Sequence, residues 1–250
     1  MAAAIELRPH AASAVAWTAS LGAVTAAVLA RRERISEASA RGRLLSAQRS
    51  GALVAWRPLR DSPTLYTVSR AGLRAVGLHD RAPARVSAGS AAHAIACCEV
   101  AVALELLFAG SRVAGEPELR RSAARAASAP APAPGAMAAA LCSVALDGRA
   151  APGMHRADLA VLRGGGAGRP LAVEVELSVK EPRRLLAICT AWARARHVAG
   201  VLYVVTASVR PAVERAVAAA RAQERIALVE LDELVALTAP SSANAVPSGA

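Results

Sequence analysis

The chain predicts an α/β fold (α+β overall) built in two parts, and three observations predict it. From His155 to Arg184, HRADLAVLRGGGAGRPLAVEVELSVKEPRR, two apolar runs flank a glycine-rich turn at residues 164–168, as in a β-hairpin. Beyond it, helical and strand-like patterns alternate over residues 182–197, 201–206, 208–223 and 226–231, the order of a sheet with parallel strands. The first 80 residues instead run three helical patterns followed by two short β patterns.

The elements of the first part follow from their local chemistry. Residues 9–19 read as a first helix. In LGAVTAAVLARR, Thr25 is a cap or first-turn residue for a second. Ser36 caps a third, SEASARGRLLSAQRSG, stopped at Gly51. That helix would turn Leu44, Ala47 and Gly51 inward and leave Ser39, Arg41 and Arg43 outside. LVAW (53–56) and LYTV (65–68) are strands around the loop RPLRDSP, and residues 69–73 open another helix. Residues 1–80 thus form one domain, and residues 81–90 a hinge.

The second part spans residues 91–238. Residues 91–108 form its strongest helix, with Glu99 and Glu105 as its only acids, and residues 116–127 a charged amphipathic one. A Pro/Ala-rich loop lies near residues 128–140, and LCSVAL reads as a strand before the Asp147-Gly148 turn. The helix from Pro182 has an apolar stripe of Leu185, Leu186, Ile188, Cys189 and Trp192. VLYVVT, apolar throughout, suits a strand buried on both faces. Residues 239–250 are expected to be a disordered tail.

Composition limits the function. The 250-residue chain carries a formal charge of +11, which points to a polyanionic partner, most simply nucleic acid. Lys180 is the only lysine among 30 basic residues. Cys97, Cys98, Cys142 and Cys189 show neither a CxxC pair nor Cys/His ligand spacing, so they are expected as reduced core residues of a cytoplasmic protein. Residues 11–30 are uncharged but mostly small and interrupted by hydroxyls, which argues against a membrane span or a signal peptide. The three glycines at 164–166 precede a strand, unlike a phosphate-cradling loop. His93 and His197 read as surface or satisfied core residues, and His155 as a hairpin-end histidine that could assist a metal.

The chemistry concentrates in LAVEVEL. Strand alternation puts Glu174 and Glu176 on one face and Val173, Val175 and Leu177 on the other. Neighbouring carboxylates repel and require a cation, a proton or a basic partner. Asp158 opens the first run of the hairpin, and Lys180 follows Glu176 by four residues.

Three resemblances carry these residues further. LGAVTAAVLARR…ISEASARGRLLSAQRSGALVAWRPL…LYTVSRAGLRAVG resembles the winged helix-turn-helix domains of bacterial DNA-binding proteins. That likeness implies a third helix in the major groove and a wing on the backbone, with Ser39, Arg41, Arg43, Arg57 and Arg60 as DNA-contacting residues and double-stranded DNA as partner. Such domains often form homodimers.

The second part resembles the PD-(D/E)xK, restriction-endonuclease-like mixed-sheet fold. The resemblance implies Asp158 as first acid, Glu174 as second, Glu99 as an additional helix-borne acid, and Mg²⁺ or Mn²⁺ on Asp158, Glu174 and Glu99 in an active member. The usual lysine position is Glu176, with Lys180 as its migrated substitute. An active site would therefore consist of Asp158, Glu174, Glu176 and Lys180; a plain Glu176–Lys180 ion pair is the other reading of the last two.

Together, the winged helix and HRADL…VEVELS are similar to the replication-relaxation family of plasmid-associated proteins, over roughly residues 20–235. This implies DNA binding in plasmid or mobile-element replication or transcriptional control, with a nuclease-like domain that has lost catalysis. The rival expectation is a divalent-metal-dependent DNA endonuclease.

Overall fold

The computed structural model describes residues 5–58, 60–128, 142–146, 153–163 and 168–238. Most of the Pro/Ala-rich stretch, most of the glycine turn and the tail at 239–250 lie outside the described residues.

Helices α1 (Pro9–Leu21), α2 (Ala26–Glu33) and α3 (Glu37–Arg49) precede an antiparallel pair, β1 (Leu53–Trp56) and β2 (Leu65–Val68), and the short α4 (Arg70–Ala75). Thr25, Ser36 and Ser69 cap their helices by accepting the backbone N–H of Val28, Ser39 and Gly72, satisfying donors that no helical carbonyl can reach. An isolated bridge from Val24 to Tyr66 ties the α1–α2 connection to the hairpin.

The long helix α5 (Ala88–Leu107) takes in the last residues of the stretch read as a hinge, because Ser87 and Ser90 form a reciprocal capping box at its start. There follow β3 (Ser111–Gly115), α6 (Glu116–Ser128), β4 (Ser143–Leu146), β5 (Gly153–Arg156), β6 (Leu159–Arg163) and β7 (Leu171–Glu176). The chain continues with α7 (Pro182–Arg194), β8 (Gly200–Val205), α8 (Arg210–Ala219), β9 (Ile226–Glu230) and α9 (Leu231–Ala236). Five strands form one sheet in the order β3-β6-β7-β8-β9; the first three are antiparallel and β7, β8 and β9 parallel. The fold is α/β with a mixed sheet, as the alternating patterns predict. β3 and β5 are not among the strands expected from sequence. β4 and β5 make a separate hairpin, with Val144 opposite His155.

Alternation along the strands sends side chains into two cores. Leu159, Val161, Val173, Val175 and Val204 join α1–α3 and α5 on one side. Ala160, Leu162, Ala172, Val201, Tyr203 and Val205 face α6, α7 and α8 on the other. α5 is long and apolar enough to cross a membrane by length and composition, but half of that window is buried within the fold.

The first 80 residues share a core with the sheet. Polar contacts reinforce the junction: Trp17 Nε1 donates to Glu105 Oε1 at 3.1 Å, Arg32 Nε donates to Glu105 Oε2 at 2.9 Å, and the same guanidinium stacks over the Trp17 ring at 4.6 Å. At Gly115 the backbones come so close that a Cβ would lie 2.8 Å from both Leu21 Cα and Ser20 O. Gly115→Ala is therefore expected to lose about 1–3 kcal/mol of stability. Tryptophan fluorescence and circular dichroism in urea should report one shared transition at lower denaturant. Separate transitions in the parent chain would contradict a single core.

Candidate functional site

The site sits where β6 ends alongside β7. Ladder pairing stops at Leu159 opposite Val173, although β7 runs on to Glu176. β8 occupies the other edge of β7. The N–H and C=O of Val175 therefore face a side from which the neighbouring strand has gone, and buried backbone groups need partners. Two side chains supply them. Asp158 Oδ2 accepts from Val175 N at 2.8 Å, and His93 Nε2 of α5 meets Val175 O at 3.2 Å. The same His93 nitrogen stands 3.4 Å from Asp158 Oδ2, so its N–H lies between two acceptors. The Asp158 contact raises the His93 pKa against the opposing effect of burial.

Glu174 and Glu176 share the opposite face of β7, as alternation predicts, and are 1% and 5% exposed. Glu174 Oε1 accepts from Trp192 Nε1 of α7 at 2.9 Å and lies 2.8 Å from His155 Nε2 of β5. The indole nitrogen can only donate, so it fixes this oxygen as an acceptor. Burial pushes the Glu174 pKa up; contact with His155 and the charge of Lys180 oppose that shift, whereas the charge of Asp158 adds to it. Glu176 Oε2 pairs with Lys180 one turn of chain further on. The repulsion expected of two adjacent carboxylates is thus relieved separately: one acid has Trp192 and His155, the other has Lys180.

The predicted metal set does not come together. Glu99 lies six residues beyond His93, about 240° around the helix, and faces away from Asp158. Its charged neighbours are Arg31 and Asp232, and burial raises its pKa. The helix-borne side chain that reaches Asp158 is His93 instead. Among the described residues, no three His, Cys, Asp or Glu side chains group as an ion site. An acid bonded to an indole N–H, another joined to an ammonium group, and a third at the sheet edge are not arranged as a divalent-ion donor set.

Cys97, one turn from His93, lies 3.7 Å from its Nδ1, and burial raises its thiol pKa far above the usual range. It is consequently a poor nucleophile. Sequence reasoning gives His93 and Trp192 only generic surface or core roles. The pointers to them are the i,i+4 spacing of His93 and Cys97 on one helix face and a tryptophan on the helix that covers the acidic face.

Of the proposed DNA-contacting residues, Ser39, Arg41, Arg57 and Arg60 are exposed. Arg41 pairs with Glu37 at 2.7 Å on the surface, a weak interaction that a stronger ligand can replace. Arg43 is different: it pairs with the largely buried Glu33 and ties α3 to α2. Ser39 Oγ stands 2.9 Å from Ser36 Oγ at the start of α3. Comparison with protein-family models, with curated proteins and with solved structures returns no match.

Proposed function

We propose that the chain is a cytoplasmic double-stranded DNA-binding protein of the replication-relaxation type. It would act in plasmid or mobile-element replication or transcriptional control, with a winged helix at residues 1–80 and a nuclease-like domain, residues 91–238, that no longer cuts. The observation that carries the binding reading is the exposed basic surface of the first part. α3 offers Ser39 and Arg41 to solvent, and the loop after β1 offers Arg57 and Arg60, in a chain of net charge +11. The loss of cleavage rests on Glu174, whose oxygen is bonded to Trp192 and His155 in the core.

Duplex binding should weaken steeply with salt. Replacing Arg41, Arg57 and Arg60 by alanine should reduce the slope of log K against log salt by about one for each phosphate no longer neutralised. Arg43→Ala should act mainly through stability, because its partner is Glu33. Salt-insensitive or absent duplex binding would refute the reading.

A second reading, a metal-dependent endonuclease using Asp158, Glu174, Glu176 and Lys180, is favoured by one feature: the β6–β7 register brings Asp158 alongside Glu174 on neighbouring strands. Supercoiled plasmid with Mg²⁺ or Mn²⁺ separates the two. The proposed function expects intact plasmid from both the parent chain and Asp158→Asn. Cleavage by the parent that Asp158→Asn abolishes would establish the enzyme.

A further inference from the structure

The strongest positive feature outside α3 is a groove of about 850 Å³ between residues 80–85 and α6. Its walls carry five arginines, Arg81, Arg85, Arg120, Arg121 and Arg125, against two carboxylates, Asp80 and Glu116. The existing pairs leave this charge undercompensated. Asp80 serves both Arg121 at 2.7 Å and Arg125 at 3.5 Å, while Glu116 takes Arg120. Arg85 is exposed at the rim.

Arg81 forms the buried wall. Its side chain is only 8% exposed, and it donates to Ala19 O at 3.0 Å while lying 3.9 Å from Glu118. Among the described residues its Nε has no hydrogen-bond partner. Burial lowers its pKa, the mark of a cation short of compensating charge.

We infer that this groove is a second seat for the sugar-phosphate backbone of duplex DNA, separate from α3 and the loop after β1. The inference rests on the DNA-binding function proposed above and adds a surface to it. Arginine forks suit phosphate oxygens, and Arg121 and Arg125, one helical turn apart, can serve successive groups along a strand. The groove has no polar pattern for reading bases, so its contribution is independent of sequence. Its position on α6, which is packed against α1, fixes it relative to the first 80 residues.

The test uses the full chain carrying Arg85→Gln, Arg120→Gln and Arg125→Gln, three exposed positions whose replacement spares the core. Binding to two unrelated duplexes is measured across salt concentrations. The expected result is a salt slope shallower by about three, with equal weakening on both sequences. Lysine at the same three positions restores the slope, because charge rather than shape is being measured.

An unchanged slope in the glutamine variant, with a steep slope in the parent that falls when Arg41, Arg57 and Arg60 are replaced, overturns the groove and leaves DNA binding standing. Absence of salt-dependent duplex binding by the parent removes both. Inorganic phosphate that displaces duplex more effectively than chloride at matched ionic strength would make this an isolated phosphate site and likewise overturn the inference.

Discussion

Trp192→Ala is expected to lower folding stability by about 3–5 kcal/mol, the usual cost of emptying a large aromatic site in a packed core. The residue is fully buried among Leu185, Ile188 and Tyr203, with nowhere for neighbours to collapse without disturbing α7. A second penalty adds to the cavity: Glu174 Oε1 would be deprived of the indole N–H and remain buried with His155. Urea denaturation followed by circular dichroism measures the total. Glu174→Gln provides the contrast, since an amide oxygen still accepts from both donors and carries no charge to bury. Its stability should stay within about 1 kcal/mol of the parent. A large drop in Glu174→Gln together with a small one in Trp192→Ala would reverse the order of importance assigned to the pair.

Gly72→Ala comes next, with an expected loss of about 3 kcal/mol, at the upper end for overpacking. A Cβ on Gly72 would lie 2.1 Å from Ala52 O and 2.9 Å from the carbonyl carbon. That carbonyl accepts the Ser69 N–H, and the Ser69 hydroxyl caps the Gly72 N–H, so α4 is fastened to the start of β1 at this point. Backbone cannot turn to another rotamer, and the helix must lift away. The urea midpoint should fall, and duplex binding should fall with it as the hairpin loses its support. A midpoint equal to the parent's would show that the two segments can separate without cost.

What is legible in the sequence has a physical pattern. Thr25, Ser36 and Pro182 mark helix starts because capping and proline geometry are local properties. The period of two in LAVEVEL correctly assigns both glutamates to one face. β3 escapes because SRVAG combines an arginine, small residues and a terminal glycine; it is a strand because β6 lies beside it. The candidate site is half legible. Spacing places Asp158 beside Glu174, but it cannot show that β6 stops short, leaving the Val175 peptide to draw Asp158 and His93 into the plane of the sheet. Likewise, the surplus of arginine is plain from composition. Its division into spent residues such as Arg43 and exposed ones such as Arg85 depends on which acids the fold brings within reach.

The close approach of Gly115 to Ser20 and Leu21, with the Trp17–Glu105–Arg32 cluster beside it, has a mechanical consequence. A part joined through bare backbone and a buried tryptophan has no pivot. Torque applied to α3 passes through α1 into β3 and the rest of the sheet, so the molecule behaves as a bracket of fixed angle whose geometry is set when the chain folds.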